Sequence, residues 1–362
     1  MKITDVCAHL LAIPLDQSRI PAKWSWGSFN QIIVAVHTDE GITGYGEAFG
    51  FGVPHATASV INYCLKPIIT GSDPTQIASL LDRMYRQTHI FGRYGITTFA
   101  ISGVDIALWD LLGKVTNQPL NRLFGCEKVG RIKAYASLVR YGDPQQLKDV
   151  ALQAIRDGYG AIKLHQLDLE SLKVVRDAIP DDVRLMVDAN CAWSREEALA
   201  KAIQFKPYRI DWLEEPIWPP EDYRGLSELQ KNSGIAIAIG ETACTVHQFK
   251  EILEIGAATF VQPSVVKVGG ISEWRKVACL AETYNTTIAP HSPYMGPGLL
   301  ATGHLIASTT NATEIEYLYA DLEASPFKEP LIIEKGEFVL PNTAGLGMEI
   351  DQSVLKAYTV KY

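Results

Sequence analysis

No block of basic residues, no CxxC pair and no unbroken apolar run of about 18 residues occurs in this sequence. Lys and Arg number 33 against 41 Asp and Glu, a formal net charge of −8. Phosphate binding needs clustered cations, so nucleic acid is excluded as the main partner. The missing apolar run argues against a membrane span. Six cysteines (Cys7, Cys64, Cys126, Cys191, Cys244, Cys279) are scattered over 362 residues. That spacing suits free thiols in a reducing cytoplasm better than a disulfide framework or a zinc site. The opening MKITDVCAHLLAIPLDQ alternates like a strand and carries Asp5, so it is not read as a leader peptide.

What is present is a change of rhythm along the chain. Residues 1–50 alternate, and QIIVAVHTDEGITGYGEAF reads as a hairpin turned at DEG. TQIASLLDRMYRQ and TTFAISGVDIALWDLLGKV then carry apolar residues at helical spacing. Residues 1–125 thus form an α+β unit. Between 126 and 320 short apolar runs alternate with amphipathic stretches: AIKLHQ, RLMVDAN, IDWLEEPI, IAIAIGET, ATFVQPSVVK, TIAPHS and TEIEY are the clearest runs. Regular strand–helix alternation implies parallel βαβ units and an α/β barrel. Residues 321–362 are too few for a domain and are expected to pack back onto the first unit.

In such a barrel the reacting groups come from the C-terminal ends of the strands. Those ends carry Lys163 and His165, Asp188 and Asn190, Glu214 and Glu215, Glu241, Ser264, His291 and Glu316. Asp188, Glu214 and Glu241 recur at one βα unit each. Adjacent strands lie about 4.8 Å apart, so three carboxylates can converge on one point. Burying them together without a cation would be costly. An all-oxygen set with room for water or substrate suits Mg2+.

VDAN (187–190), LEEP (213–216), GE (240–241), KVGG (267–270) and PH (290–291), with GITTFAISGVDIALWDLLGK and ITGYGEA upstream, resemble the mandelate racemase subgroup of the enolase superfamily. Their order and spacing cover nearly the whole chain. The resemblance implies a modified TIM barrel, (β/α)7β, behind an N-terminal α+β capping domain. It also implies Mg2+ on Asp188, Glu214 and Glu241. The chemistry implied is removal of a proton α to a carboxylate, through an enediolate; enolase-superfamily sites of this kind are a worked example of general acid–base tuning. A homo-oligomer acting on a small carboxylate is expected.

The sequence departs from the family at two places. The usual Lys-x-Lys is Lys163-Leu164-His165, so His165 takes the second lysine's place; alternation puts both side chains on one face. Ser264 stands where the family has an Asp that pairs with the histidine at His291, leaving a weaker hydrogen-bond partner. Glu316 matches the family's proton donor to the substrate carboxylate, and Lys267 a supporting lysine. A cation beside Lys163 should lower its pKa. Catalytic candidates are thus Lys163, His165, His291 and Glu316. Substrate contacts are expected from Trp24, Trp26, His55, Arg93 and Asn190. The leading reading is dehydration of a sugar acid or related α-hydroxy acid. Racemisation or epimerisation, cycloisomerisation and a non-catalytic metal-binding barrel are the alternatives.

Overall fold

The computed structural model describes residues 1–16, 19, 27–126 and 130–360. The chain opens with three antiparallel strands, β1 (Ile3–Pro14), β2 (Ser28–Thr38) and β3 (Thr43–Ala48), in the order β1-β2-β3. One face of this sheet is apolar. Ile32, Val34 and Val36 of β2 pack with Ile101, Val104 and Leu108 of the helix Ile96–Val115 in one buried cluster. That helix is long and apolar enough to cross a membrane, but 78% of its most apolar window is buried inside the protein. Its two aspartates are tied to other segments rather than left to solvent. Asp110 accepts the Tyr45 and Leu346 N–H groups at 2.8 Å each and pairs with Lys114 at 2.6 Å.

Eight short parallel strands follow: β4 (Arg131–Ser137), β5 (Ala161–Leu164), β6 (Arg184–Asp188), β7 (Leu213–Glu214), β8 (Ile237–Ile239), β9 (Phe260–Val261), β10 (Thr287–Ile288) and β11 (Ile315–Leu318). They pair in sequence from β4 to β10, and β11 pairs back with β4. A parallel bridge between Ile288 and Ala312 closes the ring. A helix of ten or more residues follows each of β4 to β10 and none follows β11, the (β/α)7β arrangement. Several of these helices start on a side-chain cap: Asp143, Asp168, Ser194, Asp222 and Thr245 each accept a first-turn N–H.

The C-terminal segment divides its contacts. Its last helix, Gln352–Tyr358, lies against β1, and bridges join Leu11 to Thr359 and Leu15 to Leu322. The hairpin β12 (Ile333–Glu334) and β13 (Glu337–Val339) instead extends the barrel sheet, with β13 antiparallel to residues 131–133 of β4. The expectation that all of 321–362 packs on the capping domain is corrected for this hairpin. β11 covers only residues 134–137 of β4, so the lower half of β4 would otherwise be a bare edge.

Capping domain and barrel are joined at the KVGG turn. Ser102 accepts the Gly269 N–H at 2.8 Å, and Asp105 accepts both the N–H (2.9 Å) and the hydroxyl (2.6 Å) of Ser272. Trp109 donates to the Ser272 oxygen at 2.9 Å. Asp105 so caps the barrel helix Gly270–Thr283 from another domain. Gly270 has φ of +82°, and a Cβ there would lie 2.4 Å from the Asp105 carboxylate. Gly270→Ala is therefore expected to cost about 3 kcal/mol of stability, read from denaturant unfolding.

His304, in the helix Pro297–Ala307, is fully buried. Its Nδ1 lies 3.2 Å from the Asn121 N–H and its Nε2 3.2 Å from the Leu346 carbonyl, an arrangement for the neutral ring. Burial pushes its pKa down from 6.5 to about 4. Between those values the unfolded chain binds a proton that the folded one does not. The contribution is therefore complete above pH 6.5, shrinks as pH falls toward 4, and amounts to about 3 kcal/mol. Unfolding midpoints from pH 7 to 4 should fall more steeply for the native chain than for His304→Gln. Equal slopes would remove His304 from the acid response.

Candidate active site

The site is one pleat above the barrel floor. Tyr135, Ala161, Met186, Trp212, Ala238 and Ala289 form a buried apolar cluster inside the barrel. Side chains two residues apart on a strand share a face. Two residues on stand Ser137, Lys163, Asp188, Glu214, Gly240 and His291. On β8 the step lands on Gly240, whose φ of +125° is open to glycine alone, and the acid is the next residue, Glu241. Asp188, Glu214 and Glu241 each offer a carboxylate oxygen within 4.8 Å of the others. Asn190 and Glu215 bend these strand ends through left-handed backbone, φ +46° and +40°. Hydrogen bonds hold the bends: Asp188 accepts the Asn190 N–H at 2.8 Å, and Glu215 the Gly240 N–H at 3.0 Å.

Four carboxylates face two ammonium groups here. Lys163 lies 2.7 Å from Glu214, 2.8 Å from Glu316 and 3.6 Å from Asp188. Lys267 lies 3.5 Å from Glu241. Burial pulls the Lys163 amine down, but Glu214, Glu316, Tyr135 and Asp188 outweigh it and hold its pKa well above the ordinary range. With the acids alone around it Lys163 is held as a cation; the lowered pKa expected beside a metal concerns the site with that ion bound. Burial lifts the Glu214 carboxyl well above its usual range, and the acids Asp188, Glu316 and Glu241 oppose the pull of Lys163. Burial also opposes ionisation of Glu241, yet His291 and Lys267 hold it well below. The layer is short of about two positive charges. A divalent cation on Asp188, Glu214 and Glu241 fits that deficit and this hard oxygen donor set.

Two histidines flank the acids. His165 Nδ1 lies 2.6 Å from the Leu138 carbonyl, which can only accept, so Nδ1 carries a hydrogen. Its Nε2 is left facing Asp188 at 3.2 Å. His291 Nε2 lies 3.0 Å from Glu241, and its Nδ1 lies 3.1 Å from the Tyr294 hydroxyl. β5 and β10 are three strands apart one way round the ring and five the other, so these groups stand on nearly opposite walls.

One cavity of about 1150 Å3 takes in Lys163, His165, Asp188, Asn190, Glu241, His291 and Glu316. Glu214 lies beneath it, accepting from the Trp212 indole at 3.0 Å. Trp24 and Trp26 lie outside the described residues. His55 and Arg93 are exposed and not part of the cavity wall, because His55 opens the outward helix Pro54–Ser59 and Arg93 lies in the turn beyond the helix Ile77–Thr88. The guanidinium at the mouth is instead Arg140. It donates to the His165 carbonyl at 3.1 Å and to the Asn190 side chain at 3.0 Å. Glu47 and Phe49 enter the cavity from β3 and its end. Glu47 is buried and accepts the Gly298 N–H at 2.8 Å, and burial lifts its pKa to about 7. Arg140 follows the end of the first barrel strand and was findable by the same strand-end rule; Glu47 lies in the ITGYGEA stretch, whose resemblance to the capping domain did not assign it to the cavity.

The family model described as Mandelate racemase / muconate lactonizing enzyme, N-terminal domain, matches residues 10–125, and the one described as Enolase C-terminal domain-like matches 146–354, more than half of the chain. The chain belongs to the mandelate racemase and muconate lactonizing enzyme family. It is similar to an arabinonate dehydratase of Saccharolobus solfataricus, 34% identical over 91% of each chain. A D-galactarolactone cycloisomerase of Agrobacterium fabrum is 30% identical over 99% of each chain. A solved racemase from Streptomyces coelicolor, with bound magnesium, superposes with a TM-score of 0.87 at 30% identity over 99% of this chain and 100% of that one. A family member with this acid cluster is an enzyme, lyase or isomerase, and the reading as a silent barrel falls away.

Loss of an outer-shell partner costs a metal site about 10- to 100-fold, so loss of a ligand should cost more. Asp188→Asn, Glu214→Gln and Glu241→Gln should each weaken Mg2+ or Mn2+ binding by over about 100-fold in calorimetry. Native affinity in any one variant would strike that residue from the ligand set.

Proposed function

We propose that this enzyme dehydrates a sugar acid or a related α-hydroxy acid, with Mg2+ as its cation. The observation that carries the reading is the pair of histidines on opposite cavity walls, each against a different acid of the same cluster. Similar proteins named as dehydratases of arabinonate, gluconate and xylonate support the substrate class. Bound at Asp188, Glu214 and Glu241, Mg2+ would supply positive charge for the substrate carboxylate, whose negative charge grows as the α proton leaves.

The remaining work falls to side chains of this chain. Lys163, 2.7 Å from Glu214 and 2.8 Å from Glu316, orients the acids. His165 holds a hydrogen on Nδ1 against the Leu138 carbonyl, and its Nε2 faces Asp188 at 3.2 Å; with Asp188 engaged by Mg2+, that Nε2 would be the basic atom. His165 therefore takes the α proton. His291, on the far wall, gives a proton to the β oxygen as it leaves. Glu316 lies 2.8 Å from Lys163 and accepts the Ser292 N–H at 3.1 Å, which fixes it in the cavity wall beside the substrate carboxylate.

Cycloisomerisation is the second reading, favoured by similar cycloisomerases acting on a galactarolactone and an anhydrogalactonate. The two share their bond-breaking logic. In one the β oxygen departs as water; in the other it belongs to a ring and stays tethered. Product mass separates them, since only dehydration loses one water.

His165→Asn should abolish α-proton exchange in deuterated water. His291→Asn should cut turnover by about 100-fold or more while exchange continues. Exchange at native rate in His165→Asn would pass the role of base to another group. Racemisation would show instead as each variant sparing exchange from one enantiomer only.

A further inference from the structure

His291 has no acidic partner from the preceding strand, because Ser264 occupies that place. Nor is a contact from Ser264 to the ring what fills the gap. Tyr294, three residues beyond His291 on the same segment, stands between them. Its hydroxyl is 3.1 Å from His291 Nδ1 and makes a short hydrogen bond with Ser264 Oγ. Its ring meets the imidazole edge-on, with centroids 5.8 Å apart at 76°. Ser264 is fully buried and Tyr294 nearly so, so water does not compete for either oxygen.

We propose that Tyr294 is the positioning residue of His291, itself held in place by the hydrogen bond between its hydroxyl and Ser264. The proposal rests on the reading of His291 as the proton donor to the leaving oxygen. Its logic is geometric. The Tyr294 and Ser264 hydroxyls can each donate and accept, so together they anchor the ring at Nδ1 in a place that holds no carboxylate. Burial holds the Tyr294 phenol well above its ordinary pKa, so it keeps the proton the pair requires.

The test uses the metal-loaded enzyme carrying 15N-labelled histidine, with His291 assigned by comparison with His291→Asn. In Tyr294→Phe the His291 ring nitrogens should shift, as the single hydrogen-bonded form gives way to a mixture. kcat should fall about 10-fold or more, part of what a positioned acid contributes, with KM within about twofold and α-proton exchange unchanged. Ser264→Ala should fall partway, and Ser264→Thr, which keeps the hydroxyl, should recover. Native His291 signals in Tyr294→Phe would overturn the proposal, as would Ser264→Thr no better than Ser264→Ala. If Tyr294→Phe does not fold, the Ser264 pair decides. If the enzyme acts on no sugar acid at all, the nitrogen signals still decide the hydroxyl pair, so the two failures stay distinct.

Discussion

Four carboxylates gathered at one end of a ring of strands, three of them buried, are the constraint on which the rest of this structure depends. Asp188, Glu214 and Glu316 are buried and Glu241 stands beside them partly exposed, and such a group needs cations, since an isolated buried charge carries a large desolvation cost. Lys163 meets part of that demand at 2.7 and 2.8 Å, and Lys267 another part. The remaining deficit is what makes the cluster a receptor for a divalent cation rather than a set of ion pairs. It also explains the floor. Trp212, Tyr135 and Met186 seal the layer from below, so the field of the charges is not screened from that side.

The same arrangement places the histidines. Each imidazole uses one nitrogen on the protein and turns the other toward the acids and the cavity. For His165 the protein partner is a backbone carbonyl, which fixes the hydrogen absolutely. For His291 it is a hydroxyl, which does not.

Much of this site was legible before folding because barrel strands impose two simple periods. The spacing of one βα unit brought out Asp188, Glu214 and Glu241, and the two-residue alternation paired Lys163 with His165. Residues that work through reach across domains were not legible. Glu47 meets the Gly298 N–H 251 positions away. Tyr294 lies in a loop after β10, and only the fold sets its hydroxyl between Ser264 and His291. His55 and Arg93 stand outside the cavity wall, and no period in the sequence says which way they point. The β12–β13 hairpin answered a need of β4, its uncovered lower edge, which lies some 200 residues earlier in the chain.

The KVGG turn ties cap to barrel and also carries Lys267, three residues before Gly270, beside Glu241. With Ser102, Asp105 and Trp109 all fastened to that turn, a rigid swing of the capping domain would break its hydrogen bonds and drag Lys267 from the acids. Traffic into and out of the cavity is then left to short rim segments such as Gly50–Gly52, which lie in the cavity wall with Phe51 exposed. Segments of that size move in nanoseconds to microseconds, whereas domain hinges take microseconds to milliseconds. A catalyst gated at its rim can admit and release small molecules without ever dismantling its charged layer.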